Sequence, residues 1–202
     1  MSNIPHTLST AGELVPSSLY ALEQSVLGWA HERNLIHGST CRTQLAKTCE
    51  EFGELAAGLN KGKRALIQDG VGDVLVTLII ANGCTGGAYL FPTAVDPDWI
   101  QPPPHIRKLE GTDLVLHTLK ELSYITCVSE MNNWRTSLCY DLVRALSAAA
   151  EFAGCGLAEC LLTAWLEIKD RKGRMIDGVF VKEADLPASS EQEAPVPPDH
   201  NC

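Results

Sequence analysis

The sequence predicts an all-α protein, an antiparallel helical bundle, and three observations carry that prediction. Apolar residues recur at steps of three and four along most of the chain. The breaks between these stretches are short and rich in Gly, Asn and Pro. Strand-like alternation is nearly absent, with only 178–181 reading as a short extended piece. Short connections between helices make neighbours antiparallel.

Taken in order, residues 1–16 read as a loose arm. A first helix is expected from Ser17 or Ser18 to about Asn34, with Leu19, Leu22, Val26, Leu27 and Trp29 as its apolar side. The HGST turn (37–40) then offers caps for a second helix over about 42–59, striped by Leu45, Phe52, Leu55, Ala56 and Leu59. Asn60 and Gly62 close it. A third helix is expected over about 65–82, ending at Gly83, and after Val71 it is apolar nearly all round, which implies burial on several sides.

The next stretch, 83–105, is turn-rich, and its three consecutive prolines are expected to forbid regular helix. Helical periodicity resumes over about 112–131 and 137–152, and a last helix runs from Leu157 to about Asp170 into the basic turn KDRKGR. From about Pro187 the tail has the composition of disorder. The pairs 42–82 and 112–153 share a layout, and Asp141 in CYDLVRAL echoes Asp73 in VGDVLVTL, as an inactive internal repeat would.

At 202 residues the chain fits one domain, or one with an elaboration. Sixteen basic against twenty-five acidic residues argue against a nucleic-acid binder, which needs a dense cationic surface. A small phosphorylated ligand stays open, because it needs only a few cations and a metal. No signal-peptide layout opens the chain, and the apolar run Val71–Ala81 is short and interrupted by Asp73. The expectation is therefore a cytoplasmic protein with no membrane partner. Eight cysteines without a CxxC, mostly in apolar helical stretches, read as buried thiols rather than as zinc ligands.

Two acidic segments carry the chemistry. Glu50, Glu51 and Glu54 lie three and four apart on the second helix, and Asp69 and Asp73 lie four apart on the third. A short connection would fold these helices together and bring the carboxylates to one place. Oxygen-only donors suit Mg²⁺, with Mn²⁺ as the alternative. Glutamates at such spacing are also the ordinary pattern of a solvated helix face. Asp73 resists that bland reading, because its neighbours are apolar and a buried carboxylate needs a partner, whether a metal or a base such as Arg64 or Lys47.

The stretch 27–80, from LGWAHERNLIHG through EEFGELA to DGVGDVLVTLII, resembles the phage-type MazG-like proteins of the all-α nucleoside triphosphate pyrophosphohydrolase superfamily. The segment LAECLLTAWLEIKDRKGRMIDGVFVKEADL (157–186) is similar to their closing helix and basic segment. The resemblance implies a catalytic helical domain from 17–83 and 155–186, with 84–154 as a helical insertion that completes the bundle or an interface. It implies Mg²⁺-dependent cleavage of a nucleoside triphosphate between its α and β phosphates, and a homodimer or homotetramer. Glu51 and Glu54 match the metal-binding ExxE, Glu50 the leading Glu, and Asp73 the Asp of the second acidic motif. The family's Glu three residues before that Asp is here Gly70, with Asp69 one residue earlier as its substitute.

Substrate contacts fall, on the same reading, to Lys47, Lys169, Arg171, Lys172 and Arg174 for phosphates, and to Trp29, Gln44 and Asn82 for the base. Structural alternatives stand beside them: a solvated helix C-terminus for Lys169, Arg171, Lys172 and Arg174, pairing with a neighbouring Glu for Lys47, core for Trp29, and a helix C-cap for Asn82. The expected substrate is a deoxynucleotide such as dGTP or dCTP. Its rivals are dUTP, phosphoribosyl-ATP, and a helical binding module with no enzymatic activity.

Overall fold

The computed structural model describes residues 6–8, 14–16, 18–91, 97–130, 134–176 and 179–183. The helices are α1 (Leu19–Glu32), α2 (Leu35–Gly38), α3 (Cys41–Asn60), α4 (Arg64–Cys84), α5 (Pro104–Arg107), α6 (Gly111–Glu130), α7 (Tyr140–Ala153) and α8 (Leu157–Ile168). Two antiparallel hairpins accompany them, β1 (His6–Leu8) with β2 (Leu14–Pro16), and β3 (Gly173–Ile176) with β4 (Val179–Lys182). The first corrects the expectation of a loose arm, since strands of three residues are too short to show an alternation. The expected disordered tail lies outside the described residues.

Local chemistry sets the helix ends. Ser18 Oγ accepts the Ala21 N–H at 3.2 Å to start α1, and Thr40 and Thr43 cap α3 reciprocally. The expected stop of α4 at Gly83 is displaced, because Gly83 stays helical and the left-handed residue is Gly86 (φ 67°). In the proline run, Pro104 opens α5 rather than barring it, since the first helical position needs no N–H. The last periodic stretches are trimmed: Thr136–Cys139 forms a 3₁₀ turn before α7, and α8 ends at Ile168.

α4 is the core helix. On one side Gly70 meets the backbone of α3, where a Cβ would stand 2.8 Å from Leu55 Cα. On the other, Gly72 lies against the Cys160 carbonyl and the Ala164 methyl of α8. α7 and α1 also pack on α4, and α6 packs on α3, tied at one end by a 3.0 Å bond from Thr112 Oγ1 to Asn60 Oδ1. Enclosure on so many sides explains why α4 is apolar all round, and by length and composition alone it passes as a membrane span. The sequence reading, which counted only Val71–Ala81, underestimated that length. Of residues 70–82, every one is buried except Asp73, which is half-buried.

Asp141, the echo of Asp73, is an exposed residue paired with Arg144 at 2.8 Å, so the likeness of the two helix pairs does not extend to a second acidic centre.

One buried acid escaped the sequence reading. Glu23 of α1 is fully buried, and its two carboxylate oxygens accept the N–H groups of Leu90 and Phe91 at 2.7 Å each. It thereby anchors the chain that leaves α4. Burial outweighs these two donors and pushes its pKa up from 4.5 to about 7. A carboxyl raised in the folded state stabilises nothing above its folded pKa and loses stability as pH climbs from the unfolded to the folded value. Between pH 4.5 and 7 the parent should therefore lose roughly 3 kcal/mol relative to Glu23→Gln. Urea titrations across that range check it, and parallel pH profiles for the two proteins would contradict it.

Candidate metal centre

The acidic centre is built where α3, α4 and α8 meet. Gly58 and Gly70 let α3 and α4 approach closely, with a Cβ at Gly58 only 3.1 Å from Leu66 and the Ile67 nitrogen. The left-handed Gly62 (φ 59°) turns the chain between them, and Glu51 of α3 comes close enough to Asp73 of α4 to act on its charge. Asp73 carries the electrostatic signature of the place. Its pKa is raised to about 7, first by burial, then by the negative charges of Glu51, Asp69 and Glu167, with Arg171 opposing. Four carboxylates from three helices thus share one field, with a guanidinium at its edge.

The remaining predicted acids sit differently. Glu50 is exposed and bonded to Lys47 Nζ at 2.6 Å, and Lys47 also pairs with Glu51 at 3.0 Å. Its bond to Glu50 is the main reason that the Lys47 pKa is raised. Lys47 therefore neutralises the leading glutamates. Glu54 is exposed, one helical turn from Glu51 and Glu50. Among the described residues, no three His, Cys, Asp or Glu side chains stand in ligating geometry. The donor set suits a hard divalent cation chemically, because it is all carboxylate and its crowding already disfavours full ionisation. Cation binding would need Lys47 to release Glu51 and the side chains to turn inward.

Gly70 stands where the resemblance expects Glu, and the structure explains the departure. No side chain fits between α4 and Leu55 at that point. Asp69, half-buried and close enough to raise Asp73, is the acid available on that side.

The basic segment is tied down by α1. Arg33 Nε donates to the Arg171 carbonyl at 2.8 Å, and its guanidinium lies 5.0 Å from the centre of the Trp29 ring. Arg171 is half-buried beside the acids, Lys172 is exposed, and Lys169 lies 3.9 Å from the Asp170 carboxylate. The side chain of Arg174 lies outside the described residues.

Of the three base-binding candidates, Trp29 and Asn82 are buried and engaged within the core. Trp29 is a core residue, 7% exposed and tilted against Phe180 of β4, so its ring is not offered to a ligand. Asn82 is neither a base contact nor a C-cap. Buried inside α4, it donates to the Ala88 carbonyl at 2.8 Å, and its oxygen accepts from Trp134 Nε1 and Thr136 Oγ1 at 3.0 Å each. Gln44 bonds Ser39 Oγ at 3.1 Å near the start of α3, about 10 Å along the helix from Glu51.

Sequence reasoning missed Glu167, Arg33 and Glu23. Glu167 had a visible signal, four residues before Arg171, and Glu23 falls on the Leu19, Leu22, Val26 stripe where an acid is out of place. Arg33 had none, because its partner is a backbone carbonyl far along the chain.

No protein-family model and no solved structure matches this chain. The chain is similar, at 41% identity over 64 residues, to an uncharacterized 18.2 kDa protein from the rep-hol intergenic region of Haemophilus phage HP1 (strain HP1c1). The match spans 32% of this chain and 39% of the phage protein, and so well under two thirds of that relative's length.

Proposed function

We propose that this protein is a Mg²⁺- or Mn²⁺-dependent nucleoside triphosphate pyrophosphohydrolase, releasing pyrophosphate and a monophosphate. The observation that carries this reading is the setting of Asp73. It is the single half-buried residue in the otherwise buried stretch 70–82 of α4, and Glu51, Asp69 and Glu167 crowd it with negative charge. A stable fold keeps such crowding where a cation is to be received. When bound, the divalent ion would supply positive charge to the phosphate oxygens. The chain's own part is to hold that ion through Glu51, Glu54 and Asp73, with Glu50 and Asp69 beside them, and to set Arg171 against the outgoing phosphates. Water adds to the α-phosphorus, the α–β anhydride bond breaks, and pyrophosphate leaves with the electron pair.

A deoxynucleotide such as dGTP or dCTP is the favoured substrate, with dUTP or phosphoribosyl-ATP as alternatives, and assembly as a homodimer or homotetramer in the cytoplasm completes the proposal. All four ribo- and all four deoxynucleoside triphosphates, with either metal, should be screened for pyrophosphate. Glu54→Gln, an exposed and structurally harmless change, should remove that activity without moving the metal-free melting point. Unchanged pyrophosphate release by the variant would remove Glu54 from the centre.

One observation favours a binding module without catalysis: Lys47 already neutralises Glu50 and Glu51, and the acids are not gathered as ligands. The two readings part on a thermal shift, which Mg²⁺ or Mn²⁺ should raise for an enzyme and leave unmoved for a module.

A further inference from the structure

At the far end of α3 from Glu54 lies a pocket of about 330 Å³, lined by Cys41, Thr85, Gly87, Ser129, Trp134, Arg135 and Thr136. Cys41 is ten residues from Glu51, about 15 Å along the helix axis, so the pocket is separate from the acidic centre. Its size is at the small end for ligand sites.

Hydrogen bonds join part of the walls. The buried Asn82 accepts the indole N–H of Trp134 and the hydroxyl of Thr136, while its amide holds the Ala88 carbonyl. One side chain thus sets the segment 134–136 against the chain leaving α4. The hydroxyl hydrogens are used internally: Thr85 donates to the Asn82 carbonyl at 2.7 Å, and Ser129 to the Thr126 carbonyl at 2.8 Å. Ser129 Oγ keeps its acceptor capacity, and Thr85 Oγ1, which also accepts the Gly87 N–H at 3.2 Å, keeps one lone pair toward a ligand.

Charge points the same way. Among the described residues the lining contains no carboxylate, in a chain of net charge −9. Arg135 is exposed and has no ion-pair partner among the described residues, whereas Arg107 and Arg144 are both paired with acids. An unpaired guanidinium beside a half-buried indole offers a fork for an anion and a surface for a flat ring.

We propose that this pocket is a second binding site, for a small anion carrying a flat ring with N–H donors, the chemistry of a nucleoside monophosphate. Arg135 takes the anionic group, Trp134 stacks on the ring, and the hydroxyl oxygens accept its N–H groups. The site does not depend on the reading of the acidic centre, so a chain without pyrophosphohydrolase activity can still pass its test.

Calorimetry on the full chain, without metal, uses three probes: AMP, adenosine and ribose 5-phosphate. AMP should bind at least tenfold tighter than either of the others, since each lacks one half of the recognised chemistry. Arg135→Ala should weaken AMP at least tenfold, and Glu54→Gln should leave it unchanged. AMP should also quench tryptophan fluorescence in the parent but not in Trp134→Phe. Arg135 is exposed, so its replacement leaves the fold intact even if Trp134→Phe perturbs it. Equal affinity of AMP for the parent and Arg135→Ala, no AMP binding, or ribose 5-phosphate binding as tightly as AMP, each overturns the proposal.

Discussion

Asp73→Asn is expected to reduce pyrophosphate release by roughly a hundredfold or more, beyond the loss typical of an outer-shell partner, while the metal-free protein becomes more heat-stable. Both effects come from one cause. The carboxylate sits half-buried in the core helix, with Glu51, Asp69 and Glu167 adding negative charge around it, so its ionised form opposes folding above its pKa of about 7. Asparagine keeps the shape and removes the charge. A residue retained only for packing would show no such trade, whereas a group held against its electrostatic interest for function shows both halves. The stability gain should grow from pH 5 to pH 8, because only the parent's acid ionises over that interval. Melting curves at the two pH values, with activity measured on the same preparations, decide the matter. A variant that is less stable and still active would remove Asp73 from the centre.

Gly70→Ala and Gly72→Ala should each cost about 3 kcal/mol, the upper part of the range for overpacking a core, and lower the melting temperature by about 10 °C. At Gly70 the added carbon would meet Leu55 Cα at 2.8 Å, and at Gly72 it would meet the Cys160 carbonyl and, at 2.9 Å, the Ala164 methyl. Backbone and core methyl groups are the obstacles, so no flexible side chain can move aside. A methyl group gained in a helix normally helps by up to about 1 kcal/mol, and the contacts reverse that sign. Gly53, with nothing near its would-be Cβ, is the control, and Gly53→Ala should be neutral or stabilising. Thermal denaturation of the three variants is sufficient. Equal stability at positions 53, 70 and 72 would mean that α4 is not clasped between α3 and α8 as described.

The same clasp explains how the acidic centre departs from the pattern that the sequence resembles. Gly70 is a packing residue and cannot carry an acid. Asp69, the adjacent position, is half-buried and its negative charge contributes to the raised pKa of Asp73. Spacing alone could list both acids but could not say which position had room for a side chain.

Helix content and order were legible because they depend on near neighbours: periodic apolar stripes, the Thr40 cap and the all-round apolarity of α4 are local facts. The acidic pair on α3 and α4 was legible too, since three intervening residues leave antiparallel packing as the compact choice. Distance in sequence hid the rest. Glu167 at the end of α8 and Arg171 just beyond it act on Asp73 from more than ninety residues away, and Asn82 gathers Trp134 and Thr136 from more than fifty residues away. Trp29 and Asn82 were misassigned because an aromatic ring or an amide on a helix looks the same from sequence whether it faces a ligand or the core. Burial is a property of what packs on top, and only the tertiary arrangement supplies it. By itself the sequence determined the helices and the acids they carry. The tertiary structure decided which acids share a field and which polar groups are already satisfied, because charge and hydrogen bonding act through space and not along the chain.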